Sequence, residues 1–224
     1  MNILNNILKG FLSFFIAIFM ISFAIAFVIL FRPYYYLNIH ILNLEEESGY
    51  TYSEIVEAYD DVMDYLVFGE EFKTGKLPYS EDGKSHFEDC KRLFSFDFLC
   101  LAISGIYILV IFILQKYKIL NLKFKHFSPG IYSIIGIGAI FSVLTVWGII
   151  DFDNLFITFH LIAFPGKTNW GFNPVTDQII NVLPLEVWMN FCILIVAIII
   201  IFIIGFIVYE IKRRKKLNNI KNIL

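Results

Sequence analysis

Four long runs without a charged side chain constrain this chain most strongly. They are Phe11–Phe31, Phe98–Gln115, Phe127–Ile150 and Val187–Tyr209. Each reaches the roughly 18 residues expected of a helix that crosses the hydrocarbon core of a bilayer. Hydrophobic residues make up 58% of the sequence and 25 residues are Phe, which excludes an ordinary soluble domain. We therefore predict an all-α membrane protein with four transmembrane helices.

The first run also resembles a signal peptide, because Ala24-Ile25-Ala26 offers a small-residue cleavage site. The run continues to Phe31, however, which is longer than the apolar core of an ordinary signal peptide. A retained membrane anchor is therefore favoured.

The distribution of basic residues predicts the orientation of the four helices. Four lysines and no acid separate the second and third runs, and six basic residues follow the fourth. These residues are Lys116, Lys118, Lys123 and Lys125, and then Lys212, Arg213, Arg214, Lys215, Lys216 and Lys221. The positive-inside rule places both groups in the cytoplasm, together with both termini. Arg32–Asp97 holds 15 acidic and 6 basic residues, a net charge of −9, and is expected outside as a mainly helical head.

The predicted segments follow from that orientation. They are the N-terminus with the first span at 1–31, the extracytoplasmic head at 32–97, the second span at 98–115, a cytoplasmic loop at 116–126, the third span at 127–150, an extracytoplasmic loop with an interfacial helix at 151–186, the fourth span at 187–209 and a basic cytoplasmic tail at 210–224. A basic tail can also bind nucleic acid. Here a topology signal with some attraction to membrane lipid is the favoured interpretation, and no nucleic-acid partner is expected.

Two capping boxes are predicted in the head. Thr51-Tyr52-Ser53-Glu54 should open an amphipathic helix that ends at Gly69. Ser85-His86-Phe87-Glu88 should open a second helix that continues into the second span. This would place His86 in the first turn, where the helix dipole disfavours a charged imidazole. Asp89 shares its face and could orient or charge-stabilise the ring; alternatively, His86 is simply an exposed first-turn residue.

One arginine and two histidines elsewhere in the chain are further candidates for functional residues. Arg32-Pro33 is expected to end the first helix, and Arg32 is interpreted as a snorkelling anchor rather than a pocket cation. His40 and His126 have no motif around them and are interpreted as ordinary residues.

Asp151–Pro184 is too apolar for a solvated loop and contains one histidine. On a helix, the residues of the phrase Phe156–Phe164 that share a face with His160 are aromatic or small, namely Phe156, Phe159, Ala163 and Phe164. The phrase is too short to span a bilayer, so an interfacial or re-entrant helix is predicted. An imidazole there is costly unless it has a task or a partner, and a satisfied structural histidine is the competing interpretation.

The three cysteines do not form a recognisable framework. Cys100 and Cys192 lie in apolar runs, so a structural disulfide is not expected. No Cys-x-x-Cys or His-Glu-x-x-His spacing supports a closed zinc site, and we predict neither a metal nor another cofactor.

The predicted topology puts His86 and His160 on the same outer side of the membrane. Two imidazoles at one interface suit acyl transfer, because one can take a proton from the attacking group and one can give a proton to the leaving alkoxide. No Gly-x-Ser-x-Gly elbow supplies a serine nucleophile. The nucleophile would then belong to the substrate.

Two motifs carry a resemblance to a known family. The first is His86-Phe87-Glu88-Asp89-Cys90-Lys91, followed by Leu93-Phe94. The second comprises Phe156, Phe159, His160, Phe164, Asn169, Trp170, Pro174, Asp177 and Pro184 in that order. With four spans and an acidic head, the chain resembles the lipoprotein intramolecular transacylase family of Gram-positive bacterial membranes. The family usually has Met and Val where Phe87 and Cys90 stand here.

The resemblance implies an acyltransferase of the bacterial cell membrane. Its partner would be a diacylated lipoprotein whose sn-2 acyl chain moves from the glycerol to the α-amino group of the same terminal cysteine, giving the lyso form. His86 and His160 would be the catalytic pair. Supporting roles, such as orienting rings, binding the headgroup or donating to an oxyanion, would fall to Asp89, Asp153, Asn169, Trp170 and Asp177.

Two alternatives of other classes stay open at this point. The protein could be a non-catalytic membrane partner whose acidic head binds another protein. It could also be a metal-dependent membrane hydrolase that uses His86, Asp89 and His160, although the sequence does not clearly supply further ligands.

Overall fold

The computed structural model describes residues 3–122, 124 and 126–221, and these residues fold into helices and connecting turns. Lys123 and Lys125, on which the orientation partly rests, lie outside the described residues, as do the first two residues and residues 222–224. The helices are α1 (Ile3–Leu30), α2 (Arg32–Ile41), α3 (Leu44–Ser48), α4 (Tyr52–Phe68), α5 (Glu81–Lys116), α6 (Pro129–Ile150), α7 (Phe152–Ala163), α8 (Ile179–Val182) and α9 (Leu185–Lys221).

Four of these helices, α1, α5, α6 and α9, are long and apolar enough to cross a membrane. This confirms the predicted all-α class with four spans. α5 has 36 residues, which is longer than a bilayer requires. Its charged first part ends at Asp97 and its apolar run begins at Phe98, so the predicted start of the second span at Phe98 falls inside α5.

The chain divides into two compact units. The first unit contains Met1–Ala24, Leu99–Thr145 and Ile195–Leu224, and the second contains Ile25–Phe98 and Val146–Leu194. All candidate site residues from the sequence fall in the second unit.

In the first unit, α1, α6 and α9 pack through isoleucines and small residues. Met20, Ala24, Ile137 and Ile199 are buried in one cluster. The Ser133 hydroxyl on α6 donates to the carbonyl of Ser13 on α1 at 2.6 Å, which satisfies a polar group between apolar surfaces. 

In the second unit, tyrosines and aliphatic residues of α2, α4 and α8 form the core. The rings of Tyr35 and Tyr59 stack with centroids 3.7 Å apart. The buried Tyr35 hydroxyl donates to the carbonyl of Val182 at 2.7 Å, so the hydroxyl is satisfied inside the core.

The segment after the first span differs from its predicted form. α1 ends at Leu30, as Arg32-Pro33 predicted, but a new helix starts at once with Pro33 in its first turn. Proline suits that position because its missing N–H needs no partner there. Arg32 is not a snorkelling anchor, since its guanidinium pairs with Asp60 at 3.2 Å and with Asp64, both on α4.

The first capping box is confirmed. The Thr51 hydroxyl accepts from the Glu54 N–H at 3.4 Å, and the Glu54 carboxylate accepts from the Thr51 N–H at 3.0 Å. Gly69 ends α4 with φ of 78°, a left-handed conformation that glycine adopts without steric cost.

The second capping box is wrong. α5 begins at Glu81, five residues before the predicted first helical residue His86, and the Ser80 hydroxyl accepts from the Gly83 N–H at 3.0 Å. That hydroxyl also donates to Asp177 at 2.7 Å, and the Ser80 N–H donates to the same oxygen at 2.8 Å. The carboxylate of Asp177 therefore fixes the start of α5, and His86 lies in the second turn rather than the first.

Candidate active site

Two histidines lie side by side in the second unit. His86 comes from α5 and His160 from α7, and their ring centroids are 5.7 Å apart. Each residue exposes only 6% of its surface. The predicted short apolar helix around His160 is confirmed as α7, which Asp151 caps by accepting from the Asn154 N–H at 3.0 Å.

Aromatic rings surround the two imidazoles. Phe164, which directly follows α7, lies 5.1 Å from His86 and 5.7 Å from His160. Phe172 lies 5.4 Å from His86, and Trp170 lies 5.0 Å from His160. We call Phe164–Phe172 the aromatic loop. Since its rings exclude water, the two imidazoles sit in a poorly solvated environment.

This environment keeps both imidazoles neutral. Burial and, to a smaller extent, the neighbouring His160 lower the pKa of His86 to about 4, while Asp89 opposes the shift. Burial also lowers the pKa of His160, against the opposing effect of a hydrogen bond with Phe156. His86 is thus neutral through burial and not through the helix dipole, which acts within the first turn.

A backbone hydrogen bond selects the tautomer of His160. Its Nδ1 lies 2.7 Å from the carbonyl oxygen of Phe156, one helical turn earlier. A carbonyl can only accept, so Nδ1 carries the proton and Nε2 keeps the lone pair. His160 can therefore accept a proton at Nε2.

His86 has a thiol as its neighbour. Its Nε2 lies 3.4 Å from the Sγ of Cys90, one turn later on α5. Burial raises the pKa of the Cys90 thiol to about 12, so the thiol keeps its proton. The Nδ1 of His86 is buried and has no hydrogen-bond partner among the described residues. 

Asp89 does not orient the His86 ring by a hydrogen bond, which was one of the two roles suggested for it. Its carboxylate accepts instead from Lys167 and, at 3.1 Å, from Asn169, and Arg92 lies 3.7 Å away. Burial alone would raise the pKa of Asp89, but the hydrogen bonds from Lys167 and Asn169 outweigh it and leave the pKa below its ordinary value. Asp89 influences His86 through its charge and holds the aromatic loop on α5.

Asn169 and Trp170 lie beside the pair, but their donors are already used. The Asn169 amide donates to Ser85 at 3.3 Å and to Asp89. The Trp170 indole N–H donates to the carbonyl of Lys167 at 3.0 Å. In this conformation neither residue has a donor free for an oxyanion, although the Trp170 ring packs on His160.

The last two sequence candidates have different surroundings. Asp177 is buried and holds the start of α5 through Ser80, which places it in a positioning role. Asp153 is exposed in the first turn of α7, two turns before His160. 

The other histidines lie elsewhere. His40 is exposed on α2 and stacks on Tyr52 with centroids 5.2 Å apart. His126 belongs to the first unit, where its carbonyl accepts from Arg213 at 2.7 Å.

Sequence reasoning missed Lys167 and Cys90 as neighbours of the pair. The spacing of His86 and Cys90, four residues apart on a helix, was a usable signal. Lys167 offered none, because its partner Asp89 is 78 residues away in the chain. Across the part of the chain that the structure describes, no three His, Cys, Asp or Glu side chains are grouped to hold a metal ion.

The sequence matches a known family over most of its length. The model of the family described as lipoprotein intramolecular transacylase Lit matches residues 10–188. The chain belongs to the lipoprotein intramolecular transacylase family. It is therefore an enzyme, an acyltransferase, and its four apolar helices make this transacylase a multi-pass membrane protein.

Solved structures support the same fold. The transacylase is similar to the in meso structure of the membrane integral lipoprotein intramolecular transacylase Lit from Bacillus cereus, with a TM-score of 0.78, 24% identity and 99% of both chains covered. A form of that B. cereus protein with a histidine-to-alanine mutation gives a TM-score of 0.73 at 23% identity, covering 95% of this chain and 96% of the other. A search of curated proteins finds no significant match.

Proposed function

We propose that this transacylase moves the sn-2 acyl chain of an S-diacylglyceryl-cysteine lipoprotein onto the α-amino group of that same cysteine. The amine nitrogen attacks the ester carbonyl carbon, a C–N bond forms, and the C–O bond to the glycerol breaks. The amine loses one proton and the glycerol oxygen gains one, so the reaction is balanced without a co-reactant. The product is an N-acyl, S-monoacylglyceryl lyso-lipoprotein.

The observation that carries the proposal is the pair of neutral imidazoles, His86 and His160, with ring centroids 5.7 Å apart. A neutral imidazole accepts a proton and, once charged, returns it, which is what amine attack and alkoxide departure require. The low pKa of each ring keeps it in the accepting form.

The hydrogen bonds of the two rings support different roles. His160 holds its proton on Nδ1, so its Nε2 is the proposed base for the amine. The protonated Cys90 thiol can donate to Nε2 of His86, which leaves the proton of that ring on Nδ1. We assign Nδ1–H of His86 to a hydrogen bond with the forming oxyanion. The protonated His160 then returns its proton from Nε2 to the departing glycerol oxygen, so that both rings end neutral.

No acyl-enzyme is needed in this scheme. Amine and ester belong to one molecule, so binding only has to fold the headgroup into an attack geometry. The one thiol beside the pair is a poor nucleophile, because Cys90 keeps its proton at a pKa of about 12.

The proposed location of the reaction is the extracytoplasmic membrane interface. The Lys and Arg distribution favours this side. The helix α7 is too short to cross the bilayer and exposes the apolar side chains of Ile157, Leu161 and Ile162, as expected of a helix in contact with membrane lipid. The partners are then a diacylated bacterial lipoprotein and membrane lipid, with no nucleic acid and no cofactor.

The test uses a synthetic lipopeptide with different acyl chains at sn-1 and sn-2. Transfer leaves the mass unchanged, so the assay follows loss of the free α-amino group and locates the N-acyl chain by fragmentation. Only the sn-2 chain should appear on nitrogen, and an N-acetylated lipopeptide should not react. Mixing isotope-labelled and unlabelled lipopeptides separates the mechanisms, since crossed products would contradict intramolecular transfer. Release of free fatty acid, abolished by a chelator, would indicate a metal-dependent hydrolase instead.

A further inference from the structure

An open cleft of about 290 Å³ lies where α5 meets the aromatic loop. It is lined by Asp82, Ser85, Gly166, Lys167, Thr168 and Asn169. Apart from glycine, every lining residue is polar. The cleft therefore differs in character from the aromatic surroundings of the two histidines.

Two residues that line the cleft lie next to residues of the candidate active site. Ser85 directly precedes His86 on α5, and Asn169 directly precedes Trp170, whose ring packs on His160. The Asn169 amide donates to Ser85 at 3.3 Å, which joins the two walls. A peptide held in the cleft would thus lie next to the residue before His86 and next to the residue before Trp170.

The cleft has room and an unused acceptor. A Cβ added at Gly166 would meet nothing within 4 Å, so the wall is open at this point of the loop. The Oδ1 of Asn169 is buried and has no hydrogen-bond partner in the described structure. An amide oxygen without a partner is costly to keep, and a main-chain N–H of a bound peptide would satisfy it once the aromatic loop moves and exposes the oxygen.

The two charged residues of the lining differ in their pairing. The ammonium of Lys167 pairs with Asp89, which lies outside the lining and is also 3.7 Å from Arg92. Asp82 is exposed and forms no salt bridge with any described residue. The wall that carries Asp82 thus presents an unpaired negative charge, which favours a cationic group there over an anionic one.

We propose that this cleft binds the peptide segment that follows the lipid-modified cysteine of the substrate. Asp82 sets a preference for the charge of the first residue after the cysteine, and Asn169 accepts from the peptide main chain. The inference rests on the proposed transacylase function. The choice of a peptide as the ligand follows from the polarity of the cleft. Acyl chains partition to apolar surfaces, whereas the peptide of the substrate must leave the site on a polar side.

The test compares three diacylated lipopeptides that differ only in the residue after the cysteine, which is Lys, Ser or Glu. Initial rates are measured in nonionic detergent micelles with the wild-type protein, Asp82→Lys and Glu81→Lys. Glu81 is a matched control, since it is an exposed acid on the same turn that does not line the cleft.

For the wild type we expect kcat/KM to fall in the order Lys, Ser, Glu, by about twofold to fivefold per step, the range for one exposed charge pair. Asp82→Lys should reverse the order, whereas Glu81→Lys should keep it. An unchanged order in Asp82→Lys, or equal changes in both variants, would overturn the peptide subsite alone. No conversion of any lipopeptide by the wild type would overturn the transfer itself and the subsite with it.

Discussion

Lys167 in the aromatic loop forms an ion pair with Asp89 on α5, three residues beyond His86. The Asp89 side chain is 7% exposed and the Lys167 side chain is 42% exposed. One carboxylate therefore holds the loop that encloses both imidazoles. Because the two rings are buried, access of the substrate to their nitrogens requires this loop to move.

Loss of the lysine should destabilise the protein more than loss of the charge on the carboxylate. Lys167→Met leaves the buried Asp89 carboxylate with only Asn169 and the longer contact to Arg92, and should cost about 1.5–3 kcal/mol, the range for a lost hydrogen bond to a charged group. Asp89→Asn leaves only an exposed lysine unpaired and should cost less. Thermal unfolding in detergent measures both.

Lys73→Met is the matched control for this prediction. Lys73 pairs with Glu71 at 3.4 Å, but the two side chains are 60% and 81% exposed, so the pair should contribute less than about 1 kcal/mol. Equal effects of Lys73→Met and Lys167→Met would mean that the Asp89 pair does not hold the loop.

Gly83→Ala should destabilise the start of α5. A Cβ at Gly83 would lie 3.0 Å from the Cγ of Asp177 and closer still to its Oδ1, so the carboxylate would have to leave Ser80. Overpacking of this kind costs about 1–3 kcal/mol, which exceeds the gain of about 1 kcal/mol from replacing glycine in a helix.

A double variant identifies the cause. Gly83→Ala combined with Asp177→Ala should cost less than the sum of the two single variants, because the second change removes the colliding carboxylate. Additive costs, or a Gly83→Ala variant more stable than the wild type, would contradict the close approach of α5 and Asp177.

The pH dependence of the rate should reflect the lowered pKa values. His160 must be neutral to accept a proton, and an ordinary histidine loses that form below about pH 6.5. Because burial lowers the pKa of His160, the acid limb that the enzyme contributes, separated from the titration of the substrate amine, should lie below pH 6.5. An acid limb at or above pH 6.5, measured where chemistry is rate-limiting, would contradict the buried neutral pair.

The free energy of unfolding should also decrease as the pH falls. The unfolded chain binds protons at its histidines below about pH 6.5, whereas the folded site resists protonation down to the lower pKa of each ring. The contribution of the two imidazoles to the free energy of unfolding is therefore complete above pH 6.5 and decreases as the pH falls toward 4. The His86→Gln variant should lose less stability than the wild type over this range.

The sequence predicted the elements that depend on local pattern. The apolar runs gave the four membrane helices, and the Thr51–Glu54 capping box gave the start of α4. His86 and His160 were identified as a pair, although their distance was not predictable. In each case the signal lies within a few neighbouring residues.

Long-range contacts decided what the sequence did not reveal. Ser80, not Ser85, caps α5 because Asp177 binds its N–H and hydroxyl from 97 residues away. Orienting the His86 ring was one of two roles suggested for Asp89, yet Lys167 and Asn169 occupy its oxygens. No local sequence pattern shows which distant donor forms the hydrogen bond with a given carboxylate in the folded protein.

The orientation in the membrane remains a prediction and has a direct test. In a background without native cysteines, Glu71→Cys should react with an impermeant thiol reagent added outside cells. Asn121→Cys, between the second and third spans, should react only after the membrane is opened. The reverse pattern would place the histidine pair on the cytoplasmic side and contradict the proposed location.

The rates of four single histidine variants and one double variant test the catalytic pair most directly. His86→Gln and His160→Gln should each lower the conversion of a diacylated lipopeptide at least ~100-fold, the low end for general acid–base catalysis. The double variant should lose little more than the worse single variant, because the two rings act as one unit. His40→Gln and His126→Gln, at matched expression, should keep near parental rates. Near parental rates for both His86→Gln and His160→Gln would contradict the assignment of the pair, and loss in only one would leave a single catalytic histidine.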